Sequence, residues 1–216
     1  MPTKDELTKV GTGWDRRPRD LTPSSIVIHT TSNPQPTSFQ HEMDYIFKSE
    51  DVSYHYLISK AGAVVVVVNP GLRAWHAGMC LPPFINTHSI GIAFHTSVNE
   101  QVTKEQKAAA ADLCKELAKT YIIPEGLIAT HRSVALPEGR KVDPAGMSNA
   151  EFIAWRRGIF VNTAMSPRVI GARPSVTFEQ FWTFLRNHNA PIDRVLAMRI
   201  WTSMSRRTAN SLRSLC

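Results

Sequence analysis

The sequence predicts an α/β fold in which helices flank a central mixed β-sheet, followed by a small helical extension at the C-terminus. The run of five valines, Val64–Val68, shows no alternation of apolar and polar residues, so we expect a strand that is buried on both faces. Such a strand lies in the middle of a sheet with helices on each side. The clearest helix is Thr103–Tyr121, which is rich in alanine and begins with Thr103 and Gln106 spaced as a capping box.

The remaining elements follow from local patterns taken in chain order. The first twenty residues are polar and predict an irregular arm, Ser25–His29 predicts a strand, and Ser38–Lys48 has helical spacing. A turn signal at residues 60–62 joins two strand-like runs into a hairpin. The other expected elements are the hairpin strands Val52–Ser59 and Ala63–Val68, the loop Leu72–Pro83, the strands Ser89–Phe94 and Leu127–Thr130, and the closing helix Glu151–Phe160.

Length and composition predict one main domain with a smaller appendage. The chain has 216 residues, of which 43% are hydrophobic, enough for a real core. We expect residues 1–163 to form the main domain and residues 164–216 a basic helical extension. No secretory signal and no stretch of about eighteen apolar residues occurs, so we expect a protein that is cytoplasmic on synthesis. Three cysteines without CxxC spacing predict reduced thiols rather than disulfides.

The positive charge is concentrated in the C-terminal part. The net charge is +7, yet residues 1–163 carry 17 Lys and Arg against 16 Asp and Glu. Residues 164–216 carry eight Arg, no Lys and two acids. Phe181, Trp182 and Trp201 stand among these arginines, which is compatible with a nucleic-acid binder. The same aromatics have the spacing of a helical core, and a basic face also suits an anionic envelope polymer or lipid, so we expect nucleic acid to be an unlikely partner.

Three residues are candidate ligands for a zinc ion. A catalytic zinc takes three protein ligands and keeps one open position for water. His29 ends one predicted strand, His131 follows another, and Asp143 stands on the same loop as His131 before a proline. If the two strands are neighbours, the histidines lie side by side. The alternatives are structural histidines at strand ends and a turn aspartate before Pro144.

The ordered motifs resemble a known family. The strings IVIHTT, VSYHYLISKAG, AWHAG, SIGIAF and THRSVALPEGRKVDPAGM together resemble the zinc-dependent N-acetylmuramoyl-L-alanine amidases of type 2, over about residues 20–160. That family includes phage lysozyme-amidases and animal peptidoglycan recognition proteins. The resemblance implies the amidase/peptidoglycan recognition fold and hydrolysis of the amide between N-acetylmuramic acid and L-alanine in bacterial peptidoglycan. It also implies a zinc cofactor on His29, His131 and Asp143.

The resemblance further implies roles for other residues of the site. Tyr54 matches a tyrosine of the phage enzymes that meets the zinc water, and Lys141 matches a lysine that stabilises the oxyanion. Trp75 and His76 belong to a motif that borders the cleft, where we expect contact with substrate. The cytoplasmic recycling amidases have a glutamate as general base straight after SIGI, where this chain has Ala93. A methyl group cannot accept a proton, which favours the phage branch; a solvated Lys141 is the alternative to a catalytic one.

These features predict a phage endolysin or virion-associated lysin that acts on the cell wall after holin-type release or as part of a virion. A bacterial cytoplasmic amidase of wall recycling is one alternative. A receptor-like protein that binds peptidoglycan without cleaving it is another, although such proteins usually lack a zinc ligand.

Overall fold

A five-stranded sheet organises the chain in the computed structural model, which describes residues 14–18 and 22–161. The strands are β1 (Trp14–Pro18), β2 (Ser25–Thr30), β3 (Tyr56–Ile58), β4 (Val64–Val66), β5 (Leu72–Ala74), β6 (Ser89–Phe94) and β7 (Ile128–Thr130). The helices are α1 (Phe39–Lys48), α2 (Lys104–Tyr121), α3 (His131–Val134) and α4 (Asn149–Val161). The predicted helical extension, residues 164–216, lies outside the described residues.

The order of the strands confirms the predicted mixed sheet. The five-stranded sheet runs β4-β3-β6-β2-β7, with β1 and β5 forming a separate antiparallel pair. Strand β2 is parallel to both β6 and β7, β3 is parallel to β6, and β4 is antiparallel to β3. Parallel neighbours bring the carboxyl ends of β2 and β7 to the same edge, where polar side chains collect.

The two faces of the sheet are buried against different helices. Alternate residues of β2 and β6, such as Ile28 and Ile92, join a core with α2 and α4. The opposite face joins Leu57 and Ala93 to Ile46 of α1. His29 stands on this second face because it follows Ile28 by one residue. The helices therefore cover both faces of the sheet and leave one edge of it for a site.

The valine run does not lie in the middle of the sheet, which corrects the expectation from its composition. Strand β4 is shorter than the run and pairs within the main sheet only with β3, at one edge. Val64 is 41% exposed, whereas Val65, Val67 and Val68 are buried in the cluster that contains Ile46. The run is apolar because its later residues, Val67 and Val68, pack under α1. It is not a central strand with a neighbour on each side.

Two further segments are more regular than predicted. The expected irregular arm contains β1, and the expected loop after residue 72 begins with its partner β5. The predicted capping box of α2 is present, with Thr103 and Gln106 bonding each other's backbone N–H groups. Ser38 caps α1, where its hydroxyl accepts a hydrogen bond from the N–H of His41. Cys80 and Cys114 are buried free thiols, as expected.

Within residues 22–161, none of the helices combines the length and the apolar character that crossing a bilayer requires.

Candidate metal centre

His29 and His131 lie side by side because their strands pair in register. Ile28 of β2 is the Cα partner of Thr130 of β7, and each of these residues is followed directly by a histidine. Both histidine side chains are almost fully buried, and their ring centroids are 4.5 Å apart. The predicted neighbourhood of the two strand-end histidines is confirmed.

Asp143 completes the group by placing one oxygen between the two rings. Its Oδ2 lies 3.0 Å from Nδ1 of His29 and 3.1 Å from Nδ1 of His131. The three potential ligand atoms all lie within 4.8 Å of one another. The Asp143 side chain is 13% exposed, so the group is reached from solvent on the side of the carboxylate.

The hydrogen bonds of His131 fit a cation. Its Nε2 lies 2.9 Å from the carbonyl oxygen of Ala77, which can only accept, so Nε2 carries the proton. In the neutral ring Nδ1 then has a lone pair, and it faces the carboxylate of Asp143. Two acceptors face each other here, an arrangement that a bound metal ion or an added proton stabilises. A carbonyl that fixes the outer nitrogen of a ligand histidine is a common feature of zinc sites.

His76 fixes the His29 ring through a contact with the nitrogen that does not face Asp143. Nε2 of His29 lies 3.0 Å from Nδ1 of His76, and Nε2 of His76 lies 3.2 Å from the Ser89 hydroxyl. Because the two nitrogens of an imidazole point in divergent directions, His76 is on the far side of His29 from Asp143. A Cβ on Gly91 would lie 2.5 Å from the His76 ring, so that position requires glycine. The structure thus gives His76 a supporting place, and its expected contact with substrate stays a prediction.

The electrostatics keep His29 neutral and Asp143 ionised. Burial lowers the pKa of His29 to about 4, against the opposing effect of Asp143. Burial raises the pKa of Asp143, but the close contacts of its carboxylate with the rings of His131 and His29 outweigh burial and hold that pKa below its usual range. A neutral imidazole and a carboxylate are the protonation states in which these groups bind a metal.

Arg132 and Arg140 hold the loop that carries Asp143. The Arg132 guanidinium donates to the carbonyls of Val142 and Pro144, and its backbone N–H donates to the carbonyl of Asp143. Arg140 instead ties the loop to residues 77–79, by donating to the carbonyls of Ala77 and Met79. Sequence reasoning missed both arginines, because their partners are main-chain carbonyls that no motif marks.

Tyr54 lies beside His29, and Lys141 stands two residues before Asp143 in the chain. The ring of Tyr54 is 5.3 Å from that of His29, and within residues 22–161 its hydroxyl has no hydrogen-bond partner. Burial raises the pKa of Tyr54, so its hydroxyl is protonated at neutral pH. Lys141 is exposed, and its charge contributes to the lowered pKa of His29. Trp75 is 38% exposed on the strand-end loop after β5. The roles of these three residues stay predictions.

Ala93 occupies the position of β6 that is closest to His29 in the sheet. The two residues are Cα partners in the β2–β6 pair, and Ala93 is fully buried. The strand therefore offers the site no carboxylate at this point.

A cavity of about 570 Å³ opens next to Tyr54. The loop between β2 and α1 forms one wall, and α1 contributes Glu42 and Tyr45. Glu42 is only 2% exposed, and in the described part of the chain its carboxylate accepts a hydrogen bond from the Asn33 amide alone. Burial raises the pKa of Glu42. Sequence reasoning missed this cavity, since the spacing of Ser38–Lys48 predicts a helix but does not show which of its polar side chains are enclosed.

Comparison with known proteins agrees with the geometry in indicating an amidase. A family profile described as N-acetylmuramoyl-L-alanine amidase matches residues 19–146, more than half of the chain. The 1,6-anhydro-N-acetylmuramyl-L-alanine amidase AmpD of Haemophilus influenzae is 28% identical over 163 residues, which are 67% of this chain and 85% of that protein.

Solved structures share the fold. A crystal structure of an AmpD derivative has a TM-score of 0.53 at 25% identity and covers 68% of this chain and 92% of its own. The catalytic domain of XlyA has a TM-score of 0.56 at 20% identity and covers 71% of this chain and 97% of its own. The second likeness concerns the fold alone.

Proposed function

The chain belongs to the N-acetylmuramoyl-L-alanine amidase family, and we propose that it is a zinc-dependent peptidoglycan hydrolase of the endolysin or virion-lysin type. The observation that carries the zinc assignment is the group of three ligand atoms from His29, His131 and Asp143 within 4.8 Å. The protonation states of this group suit a divalent metal, and two imidazoles with one carboxylate are a common catalytic zinc set. The bond cleaved is the amide between the lactyl group of N-acetylmuramic acid and L-alanine.

The residues of the site have different roles in amide hydrolysis. When bound, zinc supplies Lewis-acid activation of water and of the scissile carbonyl. The Tyr54 hydroxyl holds its proton at neutral pH and can donate a hydrogen bond to the attacking water or to the scissile carbonyl oxygen. The Lys141 ammonium stabilises negative charge that develops on the carbonyl oxygen. His76 and Ala77 keep the imidazole ligands in place.

Ala93 and Tyr54 favour the lysin over the recycling enzyme. A recycling amidase of the kind described above uses a glutamate where this chain has a buried alanine, whereas Tyr54 stands beside His29 as the phage branch requires. The similarity to AmpD supports the alternative, a cytoplasmic amidase that acts on soluble anhydro-muropeptides. We propose action at the cell wall, reached after holin-type release or with a virion.

Digestion of purified sacculi tests the proposed function. The protein should release peptides that begin with a free L-alanine amino group, at a rate that chelation abolishes and added zinc restores. Equal digestion after exhaustive chelation would contradict the zinc assignment. Binding to sacculi without release of peptide would identify a receptor instead. Cleavage of soluble anhydro-muropeptide with no action on sacculi would identify a recycling amidase.

A further inference from the structure

Glu42 is a buried carboxyl group that the reaction described above does not use. It lines the cavity beside Tyr54 and is 2% exposed. Within residues 22–161 no lysine or arginine forms an ion pair with it, and its hydrogen bond comes from the neutral amide of Asn33. Burying a carboxylate without a cation lowers the stability of a fold, and such groups collect at functional sites. Glu42 is therefore a candidate for a chemical role.

Helix α1 places Glu42 at the edge of the sheet that carries the metal centre. The loop before α1 begins where β2 ends, directly after His29 and Thr30, and it runs beside the segment after β6, where Asn33 forms a bridge with Ser97. Since α1 connects β2 to the parallel part of the sheet, the helix starts at the carboxyl ends of the strands. Glu42 belongs to its first turn. It is thus at the end of the helix that is nearest to the site.

The carboxyl group is also on the side of the sheet that carries His29. Glu42 and Ile46 are four residues apart, so they share one face of α1. Ile46 packs in one cluster with Tyr54 and Ala93, and Ala93 is the Cα partner of His29. The buried face of α1 therefore supplies a carboxyl group on the side where β6 offers only a methyl group.

Tyr54 connects the cavity with the metal ligands. It lines the cavity together with Glu42, and its ring centroid is 5.3 Å from that of His29. Within residues 22–161 its hydroxyl has no hydrogen-bond partner. A hydroxyl group accepts one proton while it donates another. Tyr54 can therefore pass a proton from the centre to the cavity.

We propose that Glu42 is the final acceptor of the proton that the attacking water loses, and that the Tyr54 hydroxyl passes this proton on. The inference rests on the proposed function, because it names the base of that reaction. As the water oxygen bonds to the carbonyl carbon, one water proton moves to Oη of Tyr54 and the Tyr54 proton moves to the Glu42 carboxylate. The C=O π pair moves to the carbonyl oxygen. When the C–N bond breaks, the same path returns the proton to the nitrogen, which leaves as an amine, and Glu42 is a carboxylate again.

The environment of Glu42 suits a base. Burial raises its pKa, against the opposing effects of the Asn33 hydrogen bond and the charge of His41. A carboxylate with a raised pKa binds a proton more strongly than an exposed one, and a positioned base accelerates a reaction by about 10²- to 10⁴-fold. The alternatives are structural: an acid that favours the N-terminus of α1, or an anchor for Asn33.

Substitution of Glu42 by glutamine separates the base from the anchor. Glu42→Gln still accepts the hydrogen bond from Asn33 but cannot take up the proton. We expect wild-type zinc content, a Tm at pH 7 no lower than that of wild type, and a rate lower on the order of 10²-fold. Single-turnover cleavage of soluble N-acetylmuramyl-L-alanyl-D-glutamate measures the rate, with zinc and Tm determined on the same samples. Glu50→Gln, an exposed carboxyl just after α1, is the matched control and should keep the wild-type rate.

Two further readouts respond to proton transfer and not to packing. Formate should restore part of the rate of Glu42→Ala, because it supplies a carboxylate in the space that the side chain leaves. It should not restore that of Glu42→Gln, where the amide fills this space. Because the two groups of the relay act as a unit, the double variant Glu42→Gln with Tyr54→Phe should be about as slow as the slower single variant.

The outcomes distinguish this inference from the proposed function. A wild-type rate in Glu42→Gln would leave Glu42 only as an anchor for Asn33. Loss of zinc together with the rate in that variant would assign it a structural role. The proposal is also wrong if formate does not raise the rate of Glu42→Ala, or if the losses multiply in the double variant. A zinc-loaded wild type that cleaves no muropeptide contradicts the proposed function instead.

Discussion

Nη1 of Arg132 lies 2.6 Å from the carbonyl oxygen of Pro144, one residue beyond the ligand Asp143. The same nitrogen is 3.2 Å from the carbonyl of Val142, and the Arg132 N–H donates to the carbonyl of Asp143 over 2.9 Å. Arg132, which follows His131, thus fixes the main chain on both sides of Asp143. This arrangement sets where the carboxylate lies before any metal arrives.

Removal of this support should weaken metal binding without unfolding the protein. We expect Arg132→Ala to lower zinc affinity by about 10- to 100-fold, the usual effect of losing an outer-shell partner. Arg132→Lys should recover part of it, since an ammonium keeps the charge but not the forked geometry. Competition with a chromophoric chelator measures the affinity. Arg156→Ala is the control, because Arg156 donates to Ile128 on the helix side of the sheet; equal loss of affinity in it would indicate a general effect of destabilisation.

His131 is expected to be indispensable for the metal. His131→Ala removes one of three ligands, so the purified variant should contain far less than the about one zinc per chain expected for wild type, and it should not digest sacculi. Metal analysis and peptide release measure the two effects. Full zinc occupancy in the variant would remove His131 from the ligand set.

Tyr54 and Lys141 are expected to act on the reaction rather than on the metal. Tyr54→Phe and Lys141→Ala should keep zinc content and thermal stability but lose on the order of 10²-fold in rate, the effect of removing one transition-state donor. Single-turnover rates on a soluble muropeptide, with zinc measured in the same samples, test this. Wild-type rates in either variant would exclude that residue from the chemistry.

Glu42 should make stability depend on pH in a defined direction. Because burial raises its pKa above the ordinary 4.5, the unfolded chain ionises first as pH rises, and the folded state loses stability through that range. Glu42→Gln removes this dependence and still accepts the hydrogen bond from Asn33. We expect its Tm to equal that of wild type near pH 4 and to exceed it at pH 7. Glu50→Gln, an exposed carboxyl, controls for the lost charge; a lower Tm for Glu42→Gln at pH 7 would contradict the prediction.

Residues 164–216 are proposed to bind an anionic envelope surface rather than to take part in cleavage. A protein that ends at Asn162 should cleave soluble muropeptides at close to the full rate but lose activity on whole cells or sacculi. Raising salt to about 0.5 M should mimic that loss in the full chain, because it shortens the reach of exposed charge to a few ångströms. If the shortened protein is insoluble, or inactive on the soluble substrate, the C-terminal residues belong to the main core.

Sequence patterns brought the candidate metal ligands His29 and His131 together because their proximity depends only on which strands are neighbours. A histidine at the end of each of two short apolar runs needs only that the runs pair in parallel, and β2 and β7 do. The place of the valine run was wrong because an apolar run has the same composition whether strands or a helix cover it. In this chain Val67 and Val68 turn under α1 instead of extending a central strand.

The supports of the site could not be predicted from the sequence. Arg132 and Arg140 bond main-chain carbonyls, whose positions depend on the path of the loop and not on residue type. The contact of His76 with His29 joins residues 47 apart across the sheet. The AWHAG motif indicates that His76 is near the site. Only the packing of His76 against Gly91 decides on which side of the His29 ring it lies.

The pairing of β2 with β7 also bears on the order of events in folding. His131 and Asp143 are 12 residues apart in the chain, whereas His29 and Asp143 are 114 apart. Closing the larger loop costs more chain entropy, so we expect the unfolded chain to offer an ion at most the pair His131 and Asp143 until β2 pairs with β7. Binding of an ion by all three residues would then require the completed sheet, and a bound ion would hold β2 in place beside β7.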